Sequence, residues 1–300
     1  MALQDFKPKT NTNLFGEEIK VDPLLRDKFI EPPFTTLDTR SGSWQSRKRK
    51  WGELGIKSEL GRDAKAFHIH DWIEGNRDEL GITGAVHGDG VSIFDPALTE
   101  LMYTWFVPEN GTILDPFAGG SVRGIVASYL GYTYTGIELR AEQVDSNREQ
   151  AELIVPRNEP MWICGDSDKE LDNLTEQYDF IFSCPPYVDL EVYSDHPDDL
   201  STMDYRHFIE KYRSIIAKSV LHLKTGGYAV FVVGEVRDKH GNYYNFVGDT
   251  VKAFIDAGAK FYNEAILLNS VGSAAMRANK QFMASRKLVK VHQNVLCFKK

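Results

Sequence analysis

Cysteine is scarce: Cys164, Cys184 and Cys297 are the only ones, and no two form a CxxC pair. An odd, widely spaced set argues against a disulfide framework and a structural zinc site, and it points to a reducing, cytoplasmic setting. No metal ion is expected. Long apolar runs are also missing, since no stretch approaches the ~18 residues that a membrane span requires. The opening residues, MALQDFKPKTNTNLFGEE, lack the apolar core of a secretory signal. No internal repeat is present, which excludes solenoids and propellers. The reading at this point is a protein with no membrane partner.

What is present is enough for a large core: 42% hydrophobic and 26% charged residues in a chain of 300. The formal charge of −8 looks unfavourable for a nucleic-acid partner, but it is unevenly spread. Residues 91–180 hold 16 acidic and five basic side chains, whereas residues 181–300 hold 12 acidic and 16 basic ones. The acidity therefore belongs to one part of the chain.

From about residue 110, short apolar runs alternate with amphipathic segments. Strands are expected at Thr112–Pro116, Tyr132–Leu139, Met161–Cys164, Tyr178–Ser183, Tyr228–Val236, Ala265–Leu268 and Val295–Phe298. Helices are expected at Ser121–Leu130, Glu142–Ile154, Tyr205–Leu223 and Asn245–Ala257. This alternation predicts an α/β, doubly wound, mostly parallel sheet, with ligands beyond the carboxyl ends of its strands. Residues 1–90 carry Pro, Gly and little periodicity. They read as an irregular N-terminal extension, joined to the 91–300 domain near the glycine-rich Gly81–Gly90.

The first strand ends in Asp115-Pro116-Phe117-Ala118-Gly119-Gly120-Ser121, a turn that opens a helix. Its glycines admit a ligand close to the backbone. The turn is neither GxGxxG nor a phosphate loop, and its acid would repel a pyrophosphate. Glu138 ends the second strand and Asp166, followed by Ser167, ends the third. Three acids at successive strand ends suit an adenosine that carries a positive group, with an acid on the ribose hydroxyls. The plainer alternative is that each acid caps a helix.

DPFAGGS, GIEL at Gly136–Leu139, CGDS at Cys164–Ser167 and SCPPY at Ser183–Tyr187 resemble motifs I to IV of the S-adenosylmethionine-dependent DNA amino-methyltransferases. The resemblance covers roughly residues 90–300 in a gamma-like motif order, and the chain also looks like methylases carried by bacteriophages. It implies a Rossmann-like methyltransferase fold, a seven-stranded sheet with an antiparallel last strand. It also implies S-adenosyl-L-methionine as cofactor, double-stranded DNA as partner, and a setting such as restriction-modification. By that resemblance Asp115, Phe117, Ala118 and Gly119 line the methionine end, with Phe94 and Asp95 from the segment before it. Glu138 would hold the ribose, and Asp166 with Ser167 the adenine.

Methylating an exocyclic amine requires its lone pair to be drawn out of conjugation and aligned with the methyl group. Pro185 and Pro186 fix φ and supply no competing N–H, so a main-chain carbonyl can act as acceptor. Tyr187 offers a face for a base taken out of the duplex by flipping. Ser183, Cys184, Pro185, Pro186 and Tyr187 are thus the expected catalytic set. Cys184 stands where the family has Asp, Asn or Ser, and a thiol is a weak acceptor. That leaves carbon-5 chemistry by the thiol, or a domain that only binds, as alternatives. Asp189, Glu191, Tyr193 and Asp195 read as an acidic loop over the site, and Glu235 lies within possible reach.

Two basic segments are expected to meet DNA. One carries Trp44, Arg47, Lys48, Arg49, Lys50 and Trp51; the other, in a Ser-, Ala- and Gly-rich loop over Ser270–Arg286 and just after it, carries Arg277, Lys280, Arg286 and Lys287. Clustered cations neutralise phosphates and aromatics stack on bases. The expected function is methyl transfer to adenine N6 or cytosine N4 of duplex DNA, with RNA methylation or non-catalytic DNA binding as alternatives.

Overall fold

The computed structural model describes residues 11–12, 18–19, 25–56, 94–187, 198–271 and 274–300. The chain divides into two compact units, Met1–Phe34 and Thr35–Lys300. In the first, β1 (Asn11–Thr12) and β2 (Glu18–Ile19) pair antiparallel and a short helix α1 (Leu25–Phe29) follows.

The second unit begins with strand β3 (Thr36–Asp38) and helices α2 (Gly42–Glu53) and α3 (Pro96–Phe106). Alternating units follow: β4 (Thr112–Asp115), α4 (Val122–Tyr129), β5 (Thr133–Glu138), α5 (Ala141–Ile154), β6 (Met161–Cys164) and α6 (Ser167–Glu170). Then come β7 (Tyr178–Ser183), α7 (Tyr205–His222), β8 (Leu223–Val233), α8 (Phe246–Asp256), β9 (Lys260–Leu268), α9 (Ala274–Ser285) and β10 (His292–Lys299).

The sheet order is β3-β9-β10-β8-β7-β4-β5-β6. Within this sheet β10 runs antiparallel to its neighbours, β8 and β9, and the other described strand pairings are parallel. This is the doubly wound sheet with an antiparallel last strand that the resemblance implies, with eight strands in place of seven. The eighth, β3, comes from the stretch read as an extension. Thr35 accepts from the Ile266 N–H at 2.7 Å, and the Thr39 hydroxyl donates to the Leu268 carbonyl at 2.8 Å. Three residues are too few to show a period, so the sequence gives no sign of it.

α2 joins the same unit. Its Trp44 and Trp51 are buried, and Trp51 donates its indole N–H to Glu100 of α3 at 2.8 Å. The α3 helix starts where Asp95 accepts from the Ala97 and Leu98 N–H groups, with Pro96 next. On β7, Phe180 and Phe182 meet Tyr103 of α3 edge-on, while Ile181 lies in the cluster with Phe208 and Tyr212 of α7. This period-2 alternation feeds apolar side chains to helices on both faces. Burying each such aromatic stabilises by about 1.5–3 kcal/mol.

Ser270–Arg286 is not an open loop: Ala274–Ser285 forms helix α9. Its Ala, Met, Arg, Lys and Gln are good helix formers, and that outweighs the flanking Ser and Gly. The expected boundary at Gly81–Gly90 and the acidic loop Asp189–Asp195 lie outside the described residues. Among the described residues no helix is long and apolar enough to cross a membrane.

From β4 the chain moves outward to β5 and β6 in one direction and, from β7, to β8 in the other. The carboxyl ends of β4 and β7 therefore flank the switch point, where an open sheet of this kind leaves a crevice.

Candidate active site

At that crevice lies a cavity of about 750 Å³. Its wall includes Phe94, Asp95, Phe117, Gly119, Glu138, Asp166 and Ser167 from the expected cofactor set. It also includes Cys184, Pro185, Pro186 and Tyr187 from the expected catalytic set. Residues far apart in sequence thus share one space: Phe94 and Asp95 open α3, and the rest end strands or lie in the turns that follow.

Asp115 departs from expectation. It is fully buried and lies behind the wall, so it is not a direct contact for a ligand. Its carboxylate accepts from Arg123 Nε at 2.5 Å, Tyr134 Oη at 2.8 Å, Ser183 Oγ at 2.6 Å and the Phe117 N–H at 3.2 Å. Arg123 also donates to the Phe117 carbonyl at 2.5 Å and to the Ala118 carbonyl at 2.9 Å. Burial disfavours the charge on Arg123, but Asp115 and Tyr134 outweigh it and hold the pKa above its ordinary value. Burial, with Asp115 beside it, pushes the Tyr134 phenol well up, so it stays a donor. An acid at this position works as the keystone of the turn.

Ser183 is corrected by the same geometry. It is fully buried, donates to Asp115 and accepts from the Phe117 N–H at 3.2 Å. It couples the end of β7 to the glycine turn and is a positioning residue. Ala118 is likewise buried behind the wall, its N–H donating to the Ile137 carbonyl at 3.0 Å.

Gly119, at φ 53°, has the backbone that glycine tolerates best. Its N–H donates to Glu138 Oε2 at 3.0 Å, and its carbonyl accepts from Asn147 Nδ2 at 2.8 Å. Gln143 donates to Asn147 at 2.9 Å and Arg140 to Gln143 at 2.9 Å, all three buried. The other Glu138 oxygen accepts from the Arg140 N–H at 3.0 Å. Sequence reasoning missed Arg123, Arg140, Gln143 and Asn147. Arg123, Gln143 and Asn147 lie on helix faces, where a polar residue at helical spacing looks like a solvated one, and Arg140 sits at the cap just before α5.

Capping and lining coexist. Asp166 accepts from the Asp168 N–H at 3.1 Å at the start of α6, pairs with Lys211 at 3.0 Å, and still faces the cavity. Ser167 donates to the Pro116 carbonyl at 2.5 Å. Asp95 caps α3, accepts from the Trp44 indole at 3.1 Å, and lies 3.5 Å from Lys48. Phe94 lies under the Arg123 guanidinium, 4.5 Å from its ring centre.

Pro185 is buried, while Cys184, Pro186 and Tyr187 are half-buried. Tyr187 is held at both ends: its hydroxyl accepts from Gln293 Nε2 at 2.8 Å, and its ring packs edge-on against Phe246. Gly234 lies beside the ring, where an added Cβ would stand 3.5 Å from Cε1. Gln293 at the start of β10 has no local sequence signal. Glu235 also faces the cavity, but its oxygens accept from the Phe246 and Val247 N–H groups at 3.1 and 3.2 Å, so it caps α8.

The two basic segments differ. Trp44 is 2% exposed and donates to Asp95, so it packs the α2–α3 contact and presents no ring for stacking. Arg47 is drawn into an ion pair with Glu100 at 2.5 Å. Lys48 reaches the cavity wall, and Arg49 and Lys50 are exposed. Arg277, Lys280 and Arg286 are exposed on or just after α9, with Lys287 half-buried. Among the described residues no group of three or more His, Cys, Asp or Glu side chains stands ready to hold a metal ion.

No family model and no curated protein matches the chain. Solved structures with some likeness include TrmN from Thermus thermophilus, at 13% identity and a TM-score of 0.46, over 69% of this chain and 49% of that one. Magnesium protoporphyrin IX methyltransferase (ChlM) from Synechocystis PCC 6803, solved with SAM bound, shows 12% identity and a TM-score of 0.45 over 82% of this chain and 100% of that one. A TehB-like SAM-dependent methyltransferase from Corynebacterium glutamicum shows 16% identity and a TM-score of 0.42 over 78% and 98%. With likeness at this level, the case for function rests on the geometry of the site.

Proposed function

We propose that this chain transfers a methyl group from S-adenosylmethionine to an exocyclic amine, adenine N6 or cytosine N4, of a base flipped out of duplex DNA. The observation that carries the reading is the shared wall: Glu138 and Asp166 face the same cavity as Pro185, Pro186 and Tyr187. The donor set fits the cofactor. Gly119 and Gly120 leave the backbone bare, Phe117 supplies an apolar surface, and two carboxylates suit hydroxyl and amino hydrogens. The sulfonium, when bound, supplies the methyl group.

The rest is the work of this chain. Arg123, Asp115 and Ser183 hold the glycine turn and the end of β7 in fixed relation. Pro185 and Pro186 stiffen the segment that meets the amine, since proline fixes φ. Gln293 and Phe246 hold Tyr187 as a platform for the base. Proximity and alignment of this kind lower the barrier without any metal.

A second reading has one observation in its favour. Cys184 brings a thiol to the cavity where a stronger acceptor is expected. On that reading the domain binds cofactor and DNA without transfer. The test is incubation with S-adenosylmethionine labelled on its methyl group and, in parallel, duplex DNA, single-stranded DNA and RNA. Label in duplex DNA supports the proposal, label in RNA alone moves the substrate to RNA, and cofactor binding without transfer favours the second reading.

A further inference from the structure

The cavity is polarised. Glu138 and Asp166 stand at the strand ends on one side, while Lys290 and His292 from the β10 side line the other. Lys290 is half-buried, and among the described residues the hydrogen-bond partner of its ammonium is Asn294 Oδ1 at 3.3 Å. Lys48, the other lysine on the wall, already lies 3.5 Å from Asp95. Among the described residues the acid whose charge Lys290 feels is Glu235, whose two oxygens accept from backbone N–H groups. A cation drawn out of water with a neutral amide as its hydrogen-bond partner, and a nearby carboxylate whose oxygens already cap a helix, is costly to hold, and an anion arriving there recovers part of that cost.

Its position says which anion. Gly234 separates Lys290 from Tyr187 with no side chain: a Cβ there would stand 3.5 Å from Tyr187 Cε1 and 3.9 Å from Lys290 Nζ. The ammonium therefore sits beside the ring proposed to carry the base, and that base arrives attached to a sugar and its phosphates. Burial lowers the Lys290 pKa while Glu235 raises it, and His292 is held low by its own burial and by Lys290. His292 thus feels the charge of Lys290 on the same wall.

We propose that Lys290 binds a phosphodiester of the target strand, next to the nucleotide whose base lies on Tyr187. The inference rests on the methyl-transfer reading and deepens it, since it assigns the basic side of the cavity to the substrate backbone.

The experiment pairs a protein change with a deletion of charge in the DNA. Duplexes carrying one uncharged methylphosphonate at each linkage around the target base are compared as substrates for wild type, Lys290→Met and Lys290→Arg. In wild type, one linkage adjoining the target base should lower kcat/KM by about ten- to a hundredfold, the range for a hydrogen bond to a charged group. Lys290→Met should show that loss on unmodified DNA and no further loss at the same linkage. Its KM for the cofactor should be unchanged. Lys290→Arg, which keeps the charge, should retain sensitivity to the linkage, and Lys290→Met relieves a buried charge and so leaves the fold intact. An undiminished methylphosphonate penalty in Lys290→Met overturns the site and leaves the methyl-transfer reading standing. A raised cofactor KM in Lys290→Met also overturns it, because the anion is then the cofactor's carboxylate. No transfer to any nucleic acid by wild type overturns the methyl-transfer reading and the site with it.

Discussion

Replacing Arg123 with Met removes the cation that faces Asp115 at 2.5 Å, where the two side chains are 5% and 0% exposed. Breaking a buried pair from one side costs about 3–5 kcal/mol, because the remaining charge has no counter-ion. Asp115 keeps Ser183, Tyr134 and the Phe117 N–H as donors, which favours the lower end of that range. The carbonyls of Phe117 and Ala118 lose a donor as well, adding roughly 1 kcal/mol each. The expected loss is about 5 kcal/mol, and a unit of this size melts roughly 2–4 °C lower per kcal/mol. Thermal unfolding should therefore fall by about 10–20 °C relative to wild type. Calorimetric titration with S-adenosylhomocysteine should show weaker binding at a temperature where the variant is folded, because the glycine turn has lost its anchor. Asp115→Asn combined with Arg123→Met should recover part of the stability, since it removes the stranded charge. A drop of less than about 3 °C with unchanged ligand affinity would refute the claim that this pair holds the turn.

Tyr187→Ala should lower kcat on duplex DNA by about five- to a hundredfold, the scale of lost base stacking, while cofactor affinity stays within about twofold; steady-state kinetics and titration separate the two. Cys297 is buried and its thiol is pushed up to about 12 by burial. Alkylation of the native protein near pH 8 followed by peptide mass spectrometry should therefore leave it unmodified until the protein is unfolded, and early modification would contradict the core placement. Asp179 accepts from the Thr112 N–H at 2.9 Å and pairs with Lys224 at 2.8 Å; burial raises its pKa, but these partners outweigh burial and hold it below its ordinary value. Its contribution is therefore present above about pH 4 and lost as pH falls through the lowered folded-state pKa. Asp179→Asn should cost about 1 kcal/mol in urea unfolding at pH 7, with the gap to wild type closing toward pH 3.

Much of this architecture is legible in the sequence because strand-period runs and turn residues are local. Met161–Cys164 and Tyr178–Ser183 form strands over the residues expected, and the other expected strands are present with shifted ends. The long shifts are β8, which starts at Leu223 rather than Tyr228, and β9, which starts at Lys260 rather than Ala265, since the polar first half of each extends a ladder that only its neighbours define. Edge strand β3 and helix α9 are missed for different reasons. The first is too short for a period, and the second is masked by the Ser and Gly around it. At the site, residues that end strands are legible because the switch point gathers them. What is not legible is division of labour. Asp115 and Glu138 look alike in sequence, yet one is sealed behind the wall with Arg123 and the other faces the cavity. Trp44 reads as a stacking residue beside RKRK, but on a helix it turns inward against Asp95, as Arg47 does toward Glu100, while Arg49 and Lys50 turn out. Gln293 and Lys290 meet Tyr187 and Gly234 only through the antiparallel return of β10, which no local pattern reveals.

The central claim is that one cavity brings the methyl donor to an exocyclic amine beside Pro185, Pro186 and Tyr187. Its most direct measurement is digestion of duplex DNA methylated by the wild-type protein, with the modified nucleoside identified by mass spectrometry. The account predicts N6-methyladenine or N4-methylcytosine, and 5-methylcytosine, which would assign the chemistry to the Cys184 thiol, would contradict it.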